Sequence, residues 1–189
     1  LRCKHCYIEA EDRKYQDELS TEEAREMIND LAAMKVPVLL FSGGEPLIRQ
    51  DIYELGQMAA EKGLRPVIST NGTLIDDAVA RKIKKAGFQY VGISIDGAPA
   101  THDEFRNHPG AFADALRGIR ACLNNGVKTG IRFTVNKYNQ DDLPEIFEII
   151  EREGIPRFCM YHLVYAGRGR EMADMDTSIG EKRDILELV

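Results

Sequence analysis

The chain has 189 residues, 43% hydrophobic and 30% charged, with 25 Lys and Arg against 31 Asp and Glu, for a net charge of −6. That length buries one sizeable core and is too short for two ordinary enzyme domains, while 16 glycines and no persistent heptad exclude collagen-like, coiled-coil and disordered chains. An acidic chain without a basic run is poorly suited to sequence-independent nucleic-acid binding, and no apolar stretch approaches the roughly 20 residues that cross a bilayer, so a soluble protein is expected.

The first residues, Leu1-Arg2-Cys3-Lys4-His5-Cys6, place a Cys-x-x-Cys almost at the start, with neither Met nor signal peptide before it, and the chain is expected to be a fragment. Cys3, Cys6, Cys122 and Cys159 are too sparse for a disulfide scaffold and point to a reducing, cytoplasmic compartment. Glu9 to Glu18 is polar and loop-like. Ser20 and Glu23 form a capping box, followed by helical spacing of Ala24, Met27, Ile28, Leu31 and Met34. Val38 to Phe41 is apolar throughout, suits a strand buried on both faces, and ends at Ser42-Gly43-Gly44.

Helical spacing returns from Asp51 to Lys62, then Pro66 to Thr70 reads as a strand ending at Asn71-Gly72. Asp76 to Ala86 is helical, and Tyr90 to Ile95 is a strand ending at Asp96-Gly97. His102 and His108 are placed in an exposed loop. Phe112 to Asn124 is a helix in which Cys122 is a packing thiol, Thr129 to Val135 a strand, Leu143 to Glu153 a helix, and Phe158 to Val164 a strand carrying Cys159. Five β-runs separated by helices form successive βα units, parallel and right-handed. The tail after Gly167 is polar and expected to leave the core.

In parallel α/β folds ligands bind at the carboxyl ends of strands, whether the sheet is open or barrel-like. Here those ends carry Ser42-Gly43-Gly44-Glu45, Asn71-Gly72, Asp96-Gly97 and Asn136. Taken alone, Cys3-Lys4-His5-Cys6 leaves three readings open: a redox dithiol, a structural zinc site that needs four ligands, and an iron–sulfur cluster. Gly43-Gly44-Glu45-Pro46 follows a strand, so its glycines let a ligand touch bare backbone, although a tight turn explains a lone Gly-Gly equally well.

Together the two motifs, about 37 residues apart, resemble the radical S-adenosylmethionine enzymes, which carry Cys-x-x-x-Cys-x-x-Cys after the first barrel strand and Gly-Gly-Glu-Pro after the second. Ser69-Thr70-Asn71-Gly72 and Ser94-Ile95-Asp96-Gly97 are also common in that family, and the resemblance runs from Leu1 to about Tyr165. It implies a partial TIM-type (β/α)6 barrel with the first strand missing, residues 1–166 forming the core domain and 167–189 the start of a C-terminal extension. By the family spacing the first cluster cysteine lies two residues before Leu1.

The resemblance implies a [4Fe-4S] cluster held by three cysteines, with Cys3 and Cys6 in the second and third ligand roles, and S-adenosylmethionine chelated to the open iron. One-electron cleavage of the sulfonium yields a 5′-deoxyadenosyl radical; the cofactors carry the hard chemistry and the protein orients them. His5 then stands near the adenine or in a solvated loop. Gly43, Gly44 and Glu45 approach the methionine ammonium, or Glu45 holds the loop. Asn71, Ser94 and Asp96 reach the methionine carboxylate or the ribose, unless Asn-Gly and Asp-Gly are only turn formers. Arg132 pairs with the carboxylate or with a barrel-interior acid.

The segment Tyr161 to Arg170 resembles the branch that acts on siroheme-derived tetrapyrroles in alternative haem and haem d1 biosynthesis, with the didecarboxysiroheme deacetylase and its haem d1 counterpart nearest in pattern. Arg168 and Arg170 could pair with substrate carboxylates and His162 could approach the macrocycle; a solvated Gly-Arg loop is the plain alternative. Peptide-modifying sulfatase maturases and peptide cyclases share the same core motifs. Both branches carry auxiliary iron–sulfur clusters in C-terminal extensions and draw electrons from a flavodoxin or ferredoxin. A non-catalytic zinc-binding α/β module is the alternative of another class.

Overall fold

The computed structural model describes residues 1–8 and 17–188. The polar loop expected over Glu9 to Glu18 lies largely outside the described residues. Strands and helices alternate as expected, and five strands are hydrogen-bonded in the order β1-β2-β3-β4-β5. Sequential order is what short right-handed crossovers produce. The chain divides into two units, one of Asp12–Ser94 and Asp114–Gly130, the other of Leu1–Glu11, Ile95–Ala113 and Ile131–Val189. No helix among the described residues is long and apolar enough to cross a membrane.

The first of these units holds β1 (Val38–Phe41), β2 (Arg65–Thr70) and β3 (Tyr90–Ser94) with α1 (Thr21–Ala33), α2 (Ile52–Glu61), α3 (Asp77–Lys85) and most of α5 (Ala111–Asn124). Helix α1 starts where its capping box forms: Glu23 N–H donates to Ser20 Oγ at 3.3 Å and Ser20 N–H to Glu23 Oε2 at 2.8 Å. Strands β1 and β2 pair in parallel with Phe41 beside Ile68, and β2 and β3 with Thr70 beside Ile93. Leu39 and Phe41 pack on the Ile28, Leu55 and Leu64 cluster of α1 and α2. Val38 and Leu40 are 45% and 46% exposed, a correction to the doubly buried strand: pleating sends alternate side chains to opposite faces, and these helices cover one face only. Cys122 is a packing thiol, fully buried, and burial pushes it up to about 12.

The other unit holds α4 (Pro99–Arg106), β4 (Thr129–Val135, from Ile131), α6 (Leu143–Glu153), β5 (Phe158–His162) and α7 (Ile179–Leu188). Strands β4 and β5 pair in parallel, Phe133 beside Met160. Helix α4 was not expected. Pro99 occupies its first turn, Asn107 closes it at φ 51°, and its inner face is His102, Phe105 and Arg106. His102 is 1% exposed, which corrects its placement in an exposed loop, whereas His108 is exposed. The polar tail does not leave at Gly167: Gly167–Met175 is a 3₁₀ run whose Met172, 9% exposed, packs against Phe105 and Leu163.

Candidate active site

The cysteine loop is held from α4. Lys4 N–H donates to Phe105 O at 3.0 Å, and the His5 ring stacks on Phe105 with centroids 4.5 Å apart and planes 15° off parallel. Cys6 N–H reaches Cys3 O at 3.4 Å, so both thiols belong to one turn, and both are free and partly exposed. Burial pushes His5 down to about 4, with Arg106 and Arg168 adding to the effect and Asp96 opposing it. His5 Nδ1 is buried with no hydrogen-bond partner among the described residues.

Behind the loop stands a residue that the sequence did not single out. Arg106 Nη1 donates to Cys3 Sγ at 3.5 Å, while Nη2 pairs with Asp96 Oδ2. Asp96 is 0% exposed and every polar group it has is engaged. Its Oδ1 accepts from Thr134 N–H at 2.7 Å, its N–H donates to His102 Nδ1 at 3.0 Å, and its carbonyl accepts from Asn139 Nδ2 at 2.9 Å. Burial opposes ionisation, yet the Arg106 guanidinium beside it holds the Asp96 carboxyl below the usual carboxylate range. The arrangement places the Arg106 guanidinium, paired with Asp96, against one of the two sulfurs. Both carboxylate oxygens of Asp96 are engaged within the chain, where Asp96 carries Arg106.

In its own unit, the loop after β1 exposes Gly43 and Gly44. Gly43 has φ +128°, and nothing lies within 4 Å of where a Cβ would stand, so a ligand can approach this backbone unobstructed. Glu45 turns inward and anchors the loop to the end of β2. Its Oε1 accepts from Thr70 Oγ1 at 2.7 Å and Leu47 N–H at 3.2 Å, and its Oε2 from Asn71 N–H at 2.9 Å. Burial pushes its carboxyl upward in spite of these bonds. Asn71 Oδ1 accepts from Thr73 N–H and Thr73 Oγ1 at 2.9 and 2.7 Å, an Asx turn. Ser94 is half-buried at the last position of β3.

The remaining predicted residues belong with the cysteines' unit. Arg132 lies on β4 with its guanidinium 4.3 Å from the Tyr161 ring centre, a cation–π contact. His162 is exposed at the end of β5. Arg168 reaches the cysteine loop, its Nε donating to Cys3 O at 2.8 Å. Thus Arg106 joins Cys3 to Asp96, Arg168 holds Cys3 and Cys6, and Glu45 joins Thr70 to Asn71. Arg106 was traceable only as an arginine three residues after Asp103 in an otherwise polar stretch, and that is no signal for a sulfur contact.

The donor set fits two corners of a thiolate-bound cluster. Two partly exposed sulfurs share a turn, with a guanidinium on one of them.

Comparison with known proteins agrees with this reading. Residues 1–150 match the profile of the Radical SAM superfamily. The chain is 53% identical over all 189 residues to Fe-coproporphyrin III synthase of Methanosarcina barkeri, covering 47% of that protein. It is 42% identical over its full length to pre-heme d1 synthase of Dinoroseobacter shibae, again covering 47% of it. Identity to the PqqA peptide cyclase of Granulibacter bethesdensis is 28% over 170 residues, 89% of this chain and 46% of that one. The chain therefore spans about half the length of the curated relatives it matches. The crystal structure of Streptococcus suis SuiB bound to the precursor peptide SuiA superposes with a TM-score of 0.83 at 16% identity, over 98% of this chain and 42% of that one, which shows a shared fold. With its profile matched over residues 1–150, which take in β1 to β4 and both motif loops, the chain belongs to the radical SAM superfamily.

Proposed function

We propose that this chain is the catalytic core of an enzyme that cleaves S-adenosylmethionine reductively and uses the resulting 5′-deoxyadenosyl radical to modify side chains of a siroheme-derived tetrapyrrole in haem or haem d1 biosynthesis. The observation that carries the substrate assignment is identity: 53% and 42% to two tetrapyrrole synthases over the full length, against 28% to a peptide cyclase. A [4Fe-4S] cluster, when bound, supplies the electron for that cleavage.

Each residue then has a definite task. Cys3 and Cys6 ligate two irons, and a third cysteine completes the set. Arg106 holds positive charge on the Cys3 sulfur, which stabilises the anionic ligand. The open backbone at Gly43 and Gly44 receives the ammonium of S-adenosylmethionine, because Glu45 is engaged in fixing the loop. Asn71 and Ser94 sit at strand ends suited to the methionine carboxylate or the ribose, Arg132 to the carboxylate, and His5 to the adenine. His162, exposed at the last position of β5, is assigned to substrate. A flavodoxin or ferredoxin delivers the electron, and an auxiliary cluster belongs to the remainder of the protein.

The test is anaerobic assay of the full-length protein with S-adenosylmethionine, a strong reductant and didecarboxysiroheme. Formation of 5′-deoxyadenosine together with a mass change in the tetrapyrrole is expected. Absence of 5′-deoxyadenosine overturns the reading, and modification of a peptide in place of the tetrapyrrole moves the protein to the other branch.

A further inference from the structure

The stretch that follows β5 turns back onto the cysteine loop. Gly167 opens a 3₁₀ run, and the first N–H groups of a helical run have no partner within it. That of Arg168 donates to Cys6 O at 2.9 Å. The side chain of the same residue takes the other cysteine, Nε donating to Cys3 O at 2.8 Å. Gly167 is required for so close an approach, and Gly169 for the turn back onto Val164. Gly167 has φ +54°, and a Cβ there would lie 2.4 Å from Cys6 O and 2.8 Å from Tyr7 O; a Cβ at Gly169 would lie 2.3 Å from Val164 O. Met172, one turn further on, ties the run to Phe105, and Phe105 carries His5.

Resting on the reading of Cys3 and Cys6 as cluster ligands, we propose that Gly167-Arg168-Gly169 is a clasp, with Arg168 a positioning residue that holds the ligand loop in its metal-binding conformation. A short loop free to rotate must lose that freedom when metal binds. Fixing the carbonyls of both ligating residues beforehand reduces the loss, so that metal enters a prepared loop and leaves it slowly. The clasp closes over one tripeptide, so the side chain and the backbone of position 168 act on opposite ends of the Cys-x-x-Cys turn.

The full-length protein, purified without oxygen with its cluster, is mixed with an excess of a ferrous-iron chelator, and iron release is followed for wild type, Arg168→Ala, Arg168→Lys and Gly167→Ala. Arg168→Ala and Gly167→Ala are expected to release iron about ten-fold faster or more, as loss of a hydrogen bond to a loop carbonyl predicts. Arg168→Lys is expected to fall nearer wild type, because an ammonium still donates to Cys3 O, and a merely structural lesion would not show that rescue. Gly167→Ala leaves the arginine in place and displaces only the turn, so loss of folding in one variant leaves the other to decide. A wild-type release rate in either folded variant overturns the clasp. A wild-type protein that holds no iron–sulfur cluster overturns the cluster reading itself.

Discussion

Glu45 shows how far a motif residue can differ from the role its neighbours suggest. Three donors converge on its two oxygens, from Thr70, Asn71 and Leu47, so its carboxylate organises the loop and leaves the glycine backbone open. Glu45→Gln replaces one of those acceptors with an NH₂ that meets other donors head-on. It is expected to lower unfolding free energy by about 1–3 kcal/mol, measured by urea titration. The sequence allowed this role, since a glutamate before a rigid proline can hold a turn as well as bind a ligand. Asp96 and Arg106 were less legible. Asp96 reads as a turn former or an acceptor for ribose, and only the fold brings Arg106, ten residues later, onto its carboxylate and onto Cys3.

Among elements, the helices with apolar stripes and the strands with apolar runs were legible nearly to the residue. Helix α1 begins at its capping box and α6 ends at Gly154, as the spacing requires. Helix α4 was not legible because its buried face is His102, Phe105 and Arg106, which carries one hydrophobic residue where a stripe needs three or four. His102 and Arg106 find their partners, Asp96 and Cys3, elsewhere in the chain, and no local pattern announces them. Helix α5 presents a different constraint. A Cβ on Gly118 would stand 2.5 Å from Gly72 O, so the helix lies directly against the turn that carries Asn71. Gly118→Ala must push that turn away, with an expected loss of about 1–3 kcal/mol by thermal unfolding and weaker S-adenosylmethionine binding by calorimetry in the full-length protein.

For the molecule as a whole, the alternation of strands and helices was enough to make the strands parallel, whereas their sequential order followed from the resemblance to a barrel family and not from the alternation. What alternation does not encode is contact between residues far apart in sequence, such as Arg168 on Cys3. Global stability carries one further signature of such packing. Burial, reinforced by the charge of Arg106 and by His5, lowers His102 to about 4, against the opposing pull of Asp96 and Asp103. Since the folded value lies below the unfolded one, the unfolded chain binds the extra proton between about pH 6.5 and 4, and acidification through that window favours unfolding. Nothing is contributed above it. The full effect is about 3 kcal/mol. His102→Gln, which keeps an acceptor for Asp96 N–H but does not titrate, is expected to shrink the difference between urea curves taken at pH 7 and pH 5 without abolishing it, because His5 is lowered to about 4 as well.

The carboxylate sealed beneath the thiol loop also restricts how this chain can drift. Replacing Asp96 by Asn strands a guanidinium, and replacing Arg106 by Gln strands a carboxylate, each expected to cost about 3–5 kcal/mol. Made together, the two replacements leave neutral amides facing one another, and the double variant is expected to unfold later in denaturant than either parent. Position 96 and position 106 are therefore a lock that accepts a new key only when both halves are recut, and lineages can cross between the two states only through a partner change or a fold already stable enough to survive the intermediate.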